Sequence, residues 1–239
     1  LLADVYLDTL RGLAHRHGLH LIGEVVGINT PTTADQFLCK GRADIPMGEF
    51  WLHGSQDVKE AAAAAHVYGK RLVAAESFTA SREHAGWRSD PYSLKALGDY
   101  AFTLGLNHIV FHRYAHQPWL DRVPGMTMGP WGINFERTVT WWEPGAAWIR
   151  YLTRCQYLLQ QGHPVADVLY YLGEDAPLGL PPPSELKPAP PLGYDYDACG
   201  SEVLMTRLDV RDGCLVLPEG TAYRLLVVPA DDRMRPEVA

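Results

Sequence analysis

The chain has 239 residues, 47% of them hydrophobic and 21% charged, with a formal net charge of −7. That balance belongs to a globular protein of one large domain or one and a half ordinary ones. No cluster of Lys or Arg offsets the acidic excess, which argues against nucleic acid or an anionic membrane as partner, and no apolar run approaches the ~20 residues that span a bilayer.

The first residues carry apolar side chains at helical spacing (Val5, Leu7, Leu10, Leu13, Ala14) as far as Gly18. LHLIGEVVG then reads as a strand, a loop with Gly, Pro and Thr follows, and DIPMGEFW is a second short strand. SQDVKEAAAAAHVYGK predicts a helix started by Ser55 or Asp57 and stopped at Gly69. RLVAAESF is a third strand, Ser93 to Gly105 a helix, and NHIVFHRY a fourth strand. An aromatic loop from Ala115 to Glu136 leads to a helix from about Thr138 to Gln161. After Gly162 the texture changes. HPVADVLYYLG is a new apolar strand, and LGLPPPSELKPAPPLG reads as an extended loop rather than a packed element. YDYDACGSEVLMTRLDV suggests a short helix leading to a strand, VRDGCLVLPEG a hairpin turning at Asp212-Gly213, and AYRLLVVPA a buried strand.

Strand followed by helix, repeated, implies parallel strands with helical crossovers. A doubly wound sheet would want a phosphate-binding glycine loop, and neither G-x-G-x-x-G nor a P-loop is present. The expected fold class is therefore α/β: the C-terminal half of a (β/α)8 TIM barrel over residues 1–162, followed over residues 163–239 by a partial flavodoxin-like or amidotransferase-like α/β domain. A catalytic form of that second domain needs a reactive cysteine in a strand-to-helix elbow. None of Cys39, Cys155, Cys199 and Cys214 reads as lying in one or matches a zinc or redox spacing, so all four are expected to be ordinary buried thiols. The chain starts without Met, already in a helical pattern, and stops abruptly after a strand. It reads as a fragment whose partner is the N-terminal half of the same polypeptide.

The chemical signal lies at the strand ends, where a barrel places its active site. Glu24, Glu49 and Glu76 each end a short apolar strand, and His112 ends the fourth. Cleaving a glycosidic bond takes two carboxyl groups in different protonation states, one to protonate the leaving oxygen and one to activate water or attack the sugar. Acidic residues at strand ends also cap helices or pair with Arg, so the set counts for more than any one member. Trp51, Trp119 and Trp131 add flat aromatic faces that suit sugar rings and core packing alike. Arg113 and His116 lie beside them.

The segments GRADIPMGEFW, RLVAAESFT, NHIVFHRYAHQPW and PGMTMGPWGINFERTVTWWEPGAAWIRYLTRCQYLLQQGHPVADVLYY, with the later DGCLVLPEGTAYRLLVVP, resemble glycoside hydrolase family 106. The likeness covers almost the whole chain. It implies a (β/α)8 catalytic domain, inverting hydrolysis of terminal α-L-rhamnose from rhamnosides or polysaccharides, and a calcium ion that holds sugar hydroxyls. On that resemblance the four strands are the fifth to eighth of the barrel. Glu76 takes the position of the general base, and Glu49 orients water or helps bind sugar and calcium. For the calcium that the resemblance implies, Asp35, Asp44 and Glu49 are the acidic candidates, although no contiguous calcium loop is written. Glu24, Trp51, His112, Arg113, His116, Trp119 and Trp131 then contribute to substrate binding. The general acid is expected on the fourth strand, upstream of Leu1. A β-galactosidase-like glycosidase of related architecture and a non-catalytic carbohydrate-binding module are the alternatives.

Overall fold

The computed structural model describes residues 1–25, 34–54, 56–231 and 233–239. The end of the first expected strand, the loop after it and Ser55 lie outside the described residues. A π-helical turn (Ala3–Leu7) runs into α1 (Asp8–Arg16). Then come β1 (Ile22–Gly23), α2 (Gln36–Arg42), β2 (Ile45–Trp51), α3 (Val58–Val67), β3 (Ala74–Thr79), α4 (Pro91–Thr103), β4 (His108–Phe111) and α5 (Ala146–Leu159). The strands pair in sequence order, β1-β2-β3-β4, every pair parallel. Parallel neighbours require a crossover, and α2, α3 and α4 provide the three.

The remaining elements are β5 (Val168–Tyr171), β6 (Tyr196–Cys199), α6 (Ser201–Thr206), β7 (Asp209–Arg211), β8 (Cys214–Val216), β9 (Ala222–Tyr223) and β10 (Leu225–Val227). They make a parallel sheet, β10-β5-β6, and a small antiparallel one, β7-β8-β9. Asp212 and Gly213 both have positive φ, which is what a tight hairpin turn requires.

Helix α3 lies between the two parallel sheets. Ala61 to Ala65 are fully buried; Ala61, Ala62 and Ala65 pack with Val73 ahead of β3, while Ala63 and Ala64 pack with Phe37, Val168, Tyr170 and Ala198. Methyl side chains let backbone approach backbone on both sides, so the alanine run serves two interfaces at once. A larger cluster, including Phe50, Phe78, Leu94, Leu106, Trp148 and Leu152, fills the space between the first sheet and helices α4 and α5.

Several expectations are corrected. The first helix buries Ala3 and Leu7, whereas Val5 and Leu13 are exposed. Among the described residues of the first expected strand, β1 covers only Ile22–Gly23, because Val25 already turns with φ +69°. The helix α2 was not anticipated; Asp35 starts it by accepting from Leu38 N at 2.9 Å. Helix α4 begins at Pro91, before Ser93, because Asp90 and Ser93 form a reciprocal capping box. Helix α5 begins at Ala146, not Thr138, since residues 138–145, with Pro144 and Gly145 at their end, form successive turns.

In the second half, β6 was not anticipated, and the proline-rich stretch is irregular but packed: Leu178 and Leu186 join the core against β5 and β6. AYRLLVVPA divides into β9 and β10, with Leu225 and Leu226 exposed. Cys199 does sit at a strand-to-helix junction, between β6 and α6, but it is fully buried and burial pushes its thiol well above the ordinary range. That is an inert position. Cys39 is likewise buried, while Cys155 and Cys214 are only partly so. Among the described residues no helix is long and apolar enough to cross a membrane.

Candidate active site

Register places the carboxylates. Glu49 of β2 is directly opposite Glu76 of β3, and Glu76 is opposite Val110 of β4. Side chains alternate along a strand and register partners share a face, so Glu49, Glu76 and Val110 point the same way, and His112, two residues past Val110, follows. Phe50, Phe78 and Phe111 take the other side, packed against Trp148 and its neighbours. Phe78 gets there through a bulge: Phe50 is opposite Ser77 but Trp51 is opposite Thr79, leaving Phe78 as the extra residue with φ +62°.

The acidic face is held by specific bonds. Thr79 Oγ1 donates to Glu76 Oε1 at 2.5 Å. Trp51 Nε1 donates to Glu49 Oε2 at 2.8 Å. His112 Nδ1 is 3.8 Å from Glu76 Oε1 and makes no hydrogen bond. Burial lowers the His112 pKa, against the pull of the Glu76 charge and with the help of Arg113, so the imidazole is neutral and the contact is not an ion pair. Glu24 shares this neighbourhood. Its carboxyl is pushed up to about 7, first by burial and then by the charges of Glu76, Glu49 and Asp57, with Lys40 opposing. The three glutamates expected from the sequence thus share one neighbourhood.

Asp57 is the main residue that sequence reasoning misplaced. It precedes α3 as expected, yet its side chain caps nothing there. Oδ1 instead accepts from Glu49 N at 2.6 Å and Oδ2 from Lys40 Nζ at 2.7 Å. Lys40 is fully buried and also bonds Glu60 Oε1 at 2.8 Å, while Glu60 Oε2 accepts from Leu180 N at 2.7 Å. Burial alone would lower the Lys40 pKa, but Asp57 and Glu60 outweigh it and the lysine stays charged. A Cβ on Gly48 would lie 2.5 Å from Asp57 Oδ1, so only glycine admits this bridge. Thr79 was also missed, because the bulge that turns it toward Glu76 leaves no compositional signal.

The other expected residues separate. Trp131, 45% exposed, meets Trp51 edge-on with ring centres 6.3 Å apart, which ties it to the Glu49 side of the site. Arg113 Nε and Nη2 are buried and without hydrogen-bond partners, and burial lowers its pKa. The exposed side chains of His116 and Trp119 share no hydrogen bond, ion pair or ring contact with the glutamates among the described residues. Trp119 instead lines a cavity of about 720 Å³ within its own loop, with Gln117 and Met126. None of the three glutamates lines that cavity, so the chemistry is placed by the carboxylates and not by the cavity. Asp35, Asp44 and Glu49 do not form one calcium cage: Asp35 caps α2, and Asp44 precedes β2, about 16 Å along the strand from Glu49.

The profile of glycoside hydrolase family 106, described as alpha-L-rhamnosidase, matches residues 1–239. The chain belongs to that family. A Formosa agariphila protein provisionally named a β-glucuronidase is 38% identical over 240 residues, covering 99% of this chain and 20% of its own length. The solved structure of a rhamnosidase from Novosphingobium sp. PP1Y superposes with a TM-score of 0.87 at 31% identity, over 99% of this chain and 23% of that one. The family 106 chain thus spans about a fifth of the length of these relatives. Its mixed α/β architecture with parallel sheets is that of the rhamnosidase over the matched region.

Proposed function

We propose that the protein containing this chain hydrolyses terminal α-L-rhamnosides with inversion and that the chain supplies the base side of the catalytic centre. The observation that carries the reading is the convergence of Glu24, Glu49 and Glu76 beside a neutral His112; family membership supports it. Four consecutive parallel strands in sequence order are what an arc of a (β/α)8 barrel presents. In this reading β1 to β4 are the fifth to eighth barrel strands, residues 163–239 begin an amidotransferase-like domain, and the general acid comes from the fourth strand, upstream of Leu1.

Glu76 takes a proton from the attacking water, oriented by the Thr79 hydroxyl. Glu49 is fixed by Trp51 and by Asp57 behind it. Glu24, whose carboxyl titrates near 7, offers a hydrogen-bond donor to a sugar hydroxyl when protonated. Trp51 and Trp131 give an aromatic wall for the apolar face of the sugar. His112 and Arg113 complete the sugar site in the assembled barrel. The side-chain donors on this face are carboxylate oxygens, which suit calcium. Glu49 would hold such an ion, and calcium when bound would fix the sugar's hydroxyls.

Full-length enzyme incubated with an aryl α-L-rhamnoside and followed by NMR tests this: β-L-rhamnose is expected as the first sugar released. Release of the α anomer first would overturn inversion. One relative's β-glucuronidase name favours a second reading, a glycosidase for β-linked uronic acids. Turnover of an aryl β-D-glucuronide without turnover of the rhamnoside would select it.

A further inference from the structure

We propose that His15, His20 and Asp44 form a zinc-binding site at the end of β2 remote from the carboxylates. His15 Nε2 lies 2.9 Å from Asp44 Oδ2, and His20 Nδ1 lies 3.9 Å from that oxygen. One ligand atom from each residue falls within 4.8 Å of the others. Tetrahedral Zn²⁺ with bonds near 2.1 Å sets its ligands about 3.4 Å apart. The two distances to Asp44 straddle that value, so modest rotation of the exposed imidazoles would close the set.

The carboxylate is oriented in advance. Asp44 Oδ2 accepts from Leu21 N at 2.8 Å, while Leu21 O accepts from Asp44 N at 2.9 Å and Ile45 N at 3.2 Å. Such outer hydrogen bonds fix the direction of a metal ligand. The three ligands come from the last turn of α1, the segment after Gly18, and the residue before β2. An ion here would therefore cross-link the first helix to the sheet. Two imidazoles and one carboxylate select a borderline metal such as zinc over calcium, and solvent supplies the fourth ligand. Asp44 is about 16 Å along the strand from Glu49, so this ion takes no part in catalysis.

The test is zinc titration of the full-length protein by calorimetry, with calcium in excess, comparing wild type with His20→Ala and His15→Ala. Wild type is expected to bind one more zinc equivalent than either variant, or to bind it at least about tenfold more tightly. Rhamnoside turnover should be the same in all three. An anomalous peak among the three side chains in a zinc-soaked crystal would agree. Identical zinc stoichiometry and Kd in wild type and both variants would overturn the site, leaving only the His15–Asp44 hydrogen bond. That result would leave the glycosidase reading untouched.

Discussion

Thr79 donates to Glu76 although residues three apart on a regular strand face opposite ways. The bulge at Phe78 shifts the alternation by one, sending Phe78 into the core and returning Thr79 to the acidic face. Thr79→Val keeps the branched shape but removes the donor. It is expected to lower kcat about tenfold, with KM little changed and Thr79→Ser restoring most of the rate. Wild-type kcat in the valine variant would remove Thr79 from any orienting role.

Gly132 forms the wall beside His112. It has φ +74°, and a Cβ there would lie 2.5 Å from His112 Nδ1. Gly129 offers the control, with φ +73° and nothing within 4 Å. Alanine at either position should cost about 1 kcal/mol in backbone strain. Only Gly132→Ala is expected to displace His112 and reduce kcat. Equal kcat in the two variants would show that the His112 position does not matter to turnover.

Asp197 ties α3 to β6. It is fully buried and accepts from Tyr223 Oη at 2.9 Å, with His66 Nδ1 at 2.9 Å and Lys59 Nζ at 3.7 Å. Burial alone would raise its pKa, but His66, Lys59 and Tyr223 outweigh it and hold the carboxyl at about 2. A carboxylate depressed below its unfolded value of 3.8 adds stability above that pH and loses it as pH falls toward 2. The contribution is about 2 kcal/mol at neutral pH. Asp197→Asn should therefore lower Tm at pH 7, and the gap from wild type should shrink between about pH 4 and 2. A gap that stays constant over that range would contradict the linkage.

The long periodic elements were legible. The alanine helix, β2 to β4 and the Asp212-Gly213 turn follow from spacing and turn chemistry alone, and three strand-terminal glutamates marked the candidate site. What sequence could not show depends on tertiary packing. Helix α2 and β6 are too short to establish a period; β6 is buried because α3 covers it. The bulge at Phe78 exists because the core beside Trp148 accepts a third phenylalanine ring. Asp57 looked like a helix cap and became a brace for Glu49 because Gly48 leaves room and Lys40 lies within reach. His116 and Trp119, adjacent in sequence to His112, belong to a loop whose own contacts hold them elsewhere: Gln117 clamps Met126 through both backbone atoms, and Arg137 bonds the Trp119 carbonyl.

The proposed role of Glu76 as general base is tested most directly by steady-state hydrolysis of an aryl α-L-rhamnoside by full-length wild type and Glu76→Gln. The amide keeps the shape and can still accept the Thr79 hydroxyl, but it cannot take a proton from water. A loss in kcat of about 10² to 10⁴ is expected, with rhamnose affinity largely retained. Turnover within a few-fold of wild type would contradict it.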